Sequence, residues 1–181
     1  MDNLATTTLR TPVGEIQICC SDAGVKSLNI HWNRENRVCL EDQVSRESRD
    51  LRAPKKGEQM TNGKNTPAGR VAARAKRELE EYFAGRRRNF SVPLDMDGTA
   101  FQKKVWKALS EIPYGEVRSY GQIARRVGNP KASRAVGSAN GANPVAIIVP
   151  CHRVISGDGS LGGFGGGLTN KTYLLSLEKS R

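Results

Sequence analysis

The chain has 181 residues of which 37% are hydrophobic, enough to build a core for one large or two small domains and too many for a disordered chain. No apolar run approaches the length that spans a bilayer, so no membrane segment is expected. The net charge of +11 is unevenly spread: residues 1–99 carry 17 basic and 14 acidic side chains while residues 100–181 carry 12 and 4, and a basic half of that kind favours a polyanionic partner, with nucleic acid the commonest.

Residues 6–10, 15–20 and 25–31 read as short strands, because turn signals at Thr11-Pro12-Val13-Gly14 and Ser21-Asp22-Ala23-Gly24 separate them. A small antiparallel meander is expected. Residues 33–67 are polar, mixed in charge and without apolar periodicity, which predicts a long disordered loop. From 68 to 84, Val71, Ala75, Leu79, Tyr82 and Phe83 fall on one stripe, the pattern of an amphipathic helix packed on the sheet, and Gly85 stops it.

The cluster Asp95-Met96-Asp97-Gly98-Thr99 marks a boundary, dividing the chain into domains 1–94 and 95–181 with Thr99 as the N-cap of a new helix. Phe101, Val105, Trp106, Leu109 and Ile112 follow at helical spacing and read as core, and Pro113-Tyr114-Gly115-Glu116 turns the chain. Ser119 caps a helix over 120–127, Gly128-Asn129-Pro130 breaks it, and 131–140 forms another, so a helix-turn-helix is expected. The second helix is built from small residues, Ala132, Ser133, Ala135, Gly137, Ser138 and Ala139, with Lys131 and Arg134 its only long side chains. A surface so shaved can enter a narrow minor groove with little base readout. An Ala-rich packing helix explains the same stretch equally well.

Val145 to Val149 read as a buried strand or extended core segment that delivers Cys151 to its end, between Pro150 and the pair His152 and Arg153. The thiolate is the nucleophilic form of cysteine, and basic neighbours lower its pKa. An inert buried thiol remains an equal alternative on residue types alone. The four cysteines, Cys19, Cys20, Cys39 and Cys151, show no disulfide framework, and residues 1–9 lack the features of a signal peptide. An intracellular protein is expected, in the nucleus of a eukaryote or the cytoplasm of a bacterium. The run Leu161-Gly162-Gly163-Phe164-Gly165-Gly166-Gly167-Leu168 is too rich in glycine for a regular element and lacks the Gly-Lys-Ser/Thr ending of a phosphate loop. A final helix over 169–179 turns Tyr173, Leu174, Leu175 and Leu177 inward and carries Glu178, a carboxylate able to orient His152.

Together, Pro150-Cys151-His152-Arg153-Val154, Gly128-Asn129-Pro130-Lys131-Ala132-Ser133-Arg134-Ala135-Val136-Gly137, Gly115-Glu116-Val117-Arg118-Ser119-Tyr120, Asn143-Pro144-Val145 and the glycine loop resemble the O6-alkylguanine-DNA alkyltransferases. The first 94 residues resemble that family only in outline. The resemblance implies an α/β (α+β) fold, with a small antiparallel ribonuclease-H-like N-terminal sheet and helix and a mostly helical, winged helix-turn-helix-like C-terminal domain.

It further implies a single-turnover DNA repair enzyme that flips O6-alkylguanine, or O4-alkylthymine, out of double-stranded DNA and keeps the alkyl group on Cys151. His152 would be the base through a water, Glu178 would hold His152, and Tyr120 would protonate the leaving guanine. Arg134 would fill the gap left by the extruded nucleotide. Ser119, Tyr120, Lys131, Ala132, Ala135 and Asn143 would contact DNA, Asn143 also bracing the turn before Cys151. Val154, Phe164, Gly165 and Gly166 would line the alkylguanine pocket; many relatives carry Tyr and Ser where this chain has Phe164 and Gly165. Some relatives bind a structural zinc. Here His31 and His152 are the only histidines and Cys19 and Cys20 are adjacent, so no metal and no cofactor are expected. The protein is expected to act as a monomer. Two other readings stay open: a Cys-His-Glu hydrolase or amidotransferase with the glycine loop as oxyanion hole, and a lesion sensor without turnover.

Overall fold

The computed structural model describes residues 4–31 and 65–179. Three strands, β1 (Ala5–Thr11), β2 (Gly14–Cys20) and β3 (Val25–His31), form an antiparallel sheet in the order β1-β2-β3. Its register places Thr11 opposite Gly14 across the first tight turn, and Glu15 opposite His31 after a shift of one residue between Cys19 and Cys20. Ile16, Ile18 and Cys20 alternate inward on β2 and are fully buried.

Helix α1 (Pro67–Phe83) packs on this sheet. Of the expected loop only residues 65–67 are described, and Thr66 and Pro67 belong to the helix start rather than to a loop: Thr66 accepts from the amide of Gly69 and Pro67 takes the first turn. The inward stripe is Ala68, Ala72, Ala75, Leu79 and Tyr82, while Val71 and Phe83 are only half-buried at its edges. Burying Leu79 fully contributes about 2 kcal/mol relative to leaving it in water. One charged residue joins that face. Glu78 is buried and accepts from Arg74 and from the amides of Ser91 and Val92, which fastens the linker after α1 to the helix.

Strand β3 is an edge, and its free side is covered by two segments from further along the chain. Val25 bridges to Leu94 in parallel, and Leu28 bridges to Val145 with its amide 2.8 Å from the carbonyl of Pro144. The N-terminal sheet is thereby joined directly to the turn that precedes Cys151.

The C-terminal part begins with α2 (Ala100–Ser110), whose capping box pairs Thr99 with Gln102. Trp106 is buried, and its indole N–H donates to the carbonyl of Ala139, so the aromatic stripe is core as expected. Strand β4 (Arg118–Ser119) leads into α3 (Tyr120–Arg126), again with a capping box, from Ser119 to Gln122. Gly128, at φ +84°, turns the chain toward α4 (Ser133–Gly141). The α3–α4 pair is the expected helix-turn-helix, and its second helix has one packed face and one exposed face. Val136, Ala139 and Asn140 are buried, whereas Arg134, Ala135 and Ser138 face solvent. A short β5 (Val154–Ile155) pairs in parallel with β4, Arg118 opposite Val154. That pairing brings the start of α3 beside the chain leaving Cys151. Helix α5 (Leu168–Lys179) closes the fold.

Candidate active site

The apolar run before Cys151 is buried as expected, but it is a compact turn and not a strand. The amide of Val149 donates to the carbonyl of Val145 and that of Ile148 to Ala146, while Ile147 takes φ +74°, a left-handed conformation costly for a β-branched residue. Asn143 explains why the turn closes. Its side chain donates to the carbonyl of Val149 at 2.8 Å and accepts from the amide of Val145 at 3.0 Å. Asn143 is itself buried, and its side chain is engaged in bracing the turn.

After Pro150, residues Cys151–Arg153 form a single 3-10 turn and all three side chains are buried. Burial pushes the Cys151 thiol above its ordinary pKa, opposed by a hydrogen bond from Asn143 and by the nearby charge of Lys171. Burial also pushes His152 below its ordinary value, so the imidazole is neutral at pH 7. Its Nε2 lies 2.9 Å from Oε1 of Glu178. Burial would raise the carboxyl of Glu178, but hydrogen bonds from His152 and Arg153 hold it down at about 2. An ionised carboxylate only accepts, so Nε2 carries the proton by assignment and Nδ1, which has no protein partner, is the basic atom. A water at Nδ1 can relay a proton from the adjacent thiol.

Glu178 is far from an exposed residue of an amphipathic helix. Besides His152 it accepts from Arg153 through Nε and Nη2, each at 2.9 Å, from the hydroxyl of Tyr82 at 2.7 Å and from the amide of Gly115 at 3.1 Å. Arg153 is completed by the carbonyl of Ile112 at 2.6 Å and by the ring of Tyr114. Sequence reasoning left Arg153 as mere company for the cysteine and missed Tyr82 and Lys171. The signal for Lys171 was its place: Lys171, Leu174 and Glu178 share one face of α5, an inward stripe with a charge at each end. Lys171 is fully buried, and its ammonium donates to the carbonyls of Val154 and Leu161.

A groove of about 610 Å³ opens beside α3 and α4, lined by Ser119, Tyr120, Arg134 and Gly137 among others. Tyr120 lines this groove, and burial together with the charge of Cys151 raises its pKa, so the phenol stays a donor. Lys131 and Ala135 lie exposed on the same helix-turn-helix, and Ala132 is the half-buried N-cap of α4. Val154 is wholly buried, with its amide on the carbonyl of Cys151 and its own carbonyl on Lys171. Gly165 is exposed, while Phe164 and Gly166 are half-buried and packed together near Ile30 of β3. Among the described residues no group of three or more His, Cys, Asp or Glu is placed to hold a metal, and Cys39 lies outside them.

The chain thus combines a buried cysteine, neighboured by a His-Glu pair, with a helix-turn-helix that lines an open groove. Residues 4–96 match the ribonuclease-like domain of 6-O-methylguanine DNA methyltransferase and residues 100–180 match its DNA-binding domain. The chain belongs to the 6-O-methylguanine DNA methyltransferase family. It is 44% identical over 174 residues to the constitutive methylated-DNA–protein-cysteine methyltransferase of Bacillus subtilis, covering 96% of this chain and 94% of that one. To the protein of that name from Methanosarcina acetivorans it is 62% identical over 106 residues, 59% of this chain and 68% of the relative. The crystal structure of Mycobacterium tuberculosis O6-methylguanine methyltransferase superposes with a TM-score of 0.72 at 42% identity, covering all of this chain and 94% of that one. A complex of the Mycobacterium tuberculosis protein with DNA does so with a TM-score of 0.73 at 42% identity, covering 97% and 93%.

Proposed function

We propose that the protein repairs DNA by moving the alkyl group of O6-alkylguanine onto Cys151, once per molecule. The observation that carries this reading is the position of Tyr120, which lines the groove beside Arg134 and is close enough to Cys151 for the thiol to raise its pKa. A base delivered from the groove would meet a proton donor and a nucleophile together.

The Cys151 proton passes through water to Nδ1 of His152, and the imidazolium is stabilised by Glu178. The sulfur attacks the alkyl carbon, the C–O6 bond breaks with its electron pair left on oxygen, and Tyr120 protonates the departing guanine. A thioether on Cys151 does not hydrolyse, so the reaction ends there. The alkylated oxygen is out of reach inside a duplex, so the nucleotide must be extruded at a cost of a few kcal/mol. Exposed Arg134 on α4 is suited to fill the vacated stack, Lys131 and Ser119 are suited to contact the phosphate backbone, and the small residues Ala132 and Ala135 allow its close approach. Phe164, Gly165 and Gly166 would close over the base. The two domains divide near residue 95, and the protein works inside the cell, where DNA is found; no helix among the described residues is long and apolar enough to cross a membrane.

The test is intact mass and peptide mapping after incubation with an O6-methylguanine duplex. One methyl group on Cys151, with no further uptake, is the expected result. Repeated turnover or release of a hydrolysed product would replace this reading with a hydrolase, and no uptake with tight binding would leave a lesion sensor.

A further inference from the structure

We infer that Tyr82, contributed by the N-terminal domain, is a positioning residue for the reaction at Cys151, acting through Glu178 on the basicity of His152. The inference rests on the proposed alkyl transfer for its kinetic consequence but not for its structural one. The groups that act on the thiol, Asn143, Lys171 and the backbone of Cys151 and Ile147, lie outside the N-terminal sheet and α1, yet the hydroxyl of Tyr82 reaches 2.7 Å from Oε1 of Glu178. Oε1 is the same oxygen that His152 contacts at 2.9 Å. Tyr82 is fully buried, and its ring is held edge-on between Phe83 and Tyr114 with Phe90 beside them, so the hydroxyl has little freedom to turn elsewhere.

A carboxylate oxygen that receives a strong hydrogen bond carries less negative charge for its other partners. Tyr82 therefore dilutes the pull of Oε1 on the His152 proton. The groups that set the His152 titration are Glu178, which favours the imidazolium, and Arg153 and Lys171, which oppose it, with burial opposing it most. Removing the Tyr82 hydroxyl leaves Arg153 and Lys171 in place and sharpens the attraction of Glu178. His152 should then hold its proton to a higher pH, and less of it is available as a base in mildly acidic solution. The device keeps the base neutral while its orientation stays fixed. It also makes the N-terminal domain part of the chemistry, alongside the bridge from Leu28 to Val145 that joins the two domains.

The test is Tyr82→Phe in the full chain, which removes one oxygen and keeps the ring. Two quantities are read: the His152 imidazole titration by NMR, and the single-turnover rate of methyl transfer against pH. An upward shift of the imidazole titration by about half to one pH unit, with the acid limb of the rate moving equally, is expected. Should Tyr82→Phe fail to fold, 3-fluorotyrosine placed at position 82 retains the contact with a more acidic phenol and must shift the titration the opposite way. An unmoved or downward titration with Tyr82→Phe, or an unmoved or upward one with fluorotyrosine, overturns the inference even where stability changes. If the unmodified protein takes up no methyl group the functional proposal fails, and the imidazole titration still decides the role of Tyr82.

Discussion

Nε2 of His152 and Oε1 of Glu178 face each other at 2.9 Å with both side chains buried, and both groups titrate lower in the folded protein than in an unfolded chain. A depressed folded pKa means that the unfolded state takes up the proton first as pH falls. Stability from this pair is therefore complete above the ordinary histidine value of 6.5 and declines below it. A second decline begins near the ordinary carboxyl value of 4.5 and runs to about 2. Urea midpoints measured from pH 8 to pH 3 should stay level and then fall in that sequence. A midpoint level down to pH 4 would mean that His152 is already charged in the native state.

Glu178→Gln strikes both chemistry and fold. The substitution leaves the guanidinium of Arg153 buried without its counter-charge, which costs on the order of 3 to 5 kcal/mol. His152 loses the group that favours its protonated form, so proton removal from Cys151 weakens at neutral pH. A single-turnover rate lower by about tenfold to a hundredfold at pH 7 is expected, recovering in part at higher pH where the thiol ionises unaided. An unchanged rate profile in a folded variant would remove Glu178 from the mechanism.

Arg134→Ala separates extrusion from chemistry. Arg134 is exposed on α4, and its replacement should alter stability by no more than about 0.5 kcal/mol. The rate on duplex O6-methylguanine should fall strongly, whereas the rate on free O6-benzylguanine, which needs no extrusion, should not. Equal losses on both substrates would deny Arg134 a role in the stack.

Much of this arrangement was legible in the sequence because it depends on local pattern. Strands bounded by turn residues, helices capped by Thr99 and Ser119, and the inward stripe ending at Tyr82 all obey short-range rules. The turn at residues 145–149 was misread because a short apolar run has no periodicity to separate strand from turn, and the closing agent, Asn143, acts through side-chain hydrogen bonds that hydropathy does not register. Glu178 was identifiable as a carboxylate for His152, but its bonds to Tyr82 and Gly115 join residues separated by 96 and 63 positions, a distance over which a single sequence carries no pairing signal. The buried Glu78 and Lys171 escaped for the same reason: charged residues are assigned to the surface unless their partners are known.

Gly162 is required by Tyr120. It sits at φ +63°, and a methyl group there would lie 3.0 Å from the Tyr120 hydroxyl and 3.2 Å from its ring. Gly162→Ala should cost about 1 to 2 kcal/mol from backbone strain and displace the phenol. Unlike Arg134→Ala, it should slow reaction with duplex and with free base alike. A loss confined to duplex would place the effect in DNA binding.

Lys171 tests whether a buried charge serves the thiol or only the fold. Its ammonium is fully buried, 2.6 Å from the carbonyl of Val154 and bonded also to Leu161, and so it ties the chain leaving the active-site turn to the glycine loop. Burial pushes its own pKa down while Cys151 pulls it up, and the reciprocal effect lowers the thiol. Glu178 already neutralises Arg153 and His152 is neutral, which leaves Lys171 as a positive charge available to a thiolate on Cys151. Lys171→Met keeps the length of the stem and removes the charge and the donors. Two carbonyls lose a partner, and the relief of a desolvated ammonium offsets part of that, for a net loss of about 1 to 3 kcal/mol. The thiol pKa should rise, read as slower reaction of Cys151 with a small alkylating reagent at pH 7 and as a rate curve displaced to higher pH. Lower stability with an undisplaced curve would make Lys171 a strut between two loops, and the thiol would then depend on Asn143 and on the backbone hydrogen bonds of Cys151 and Ile147.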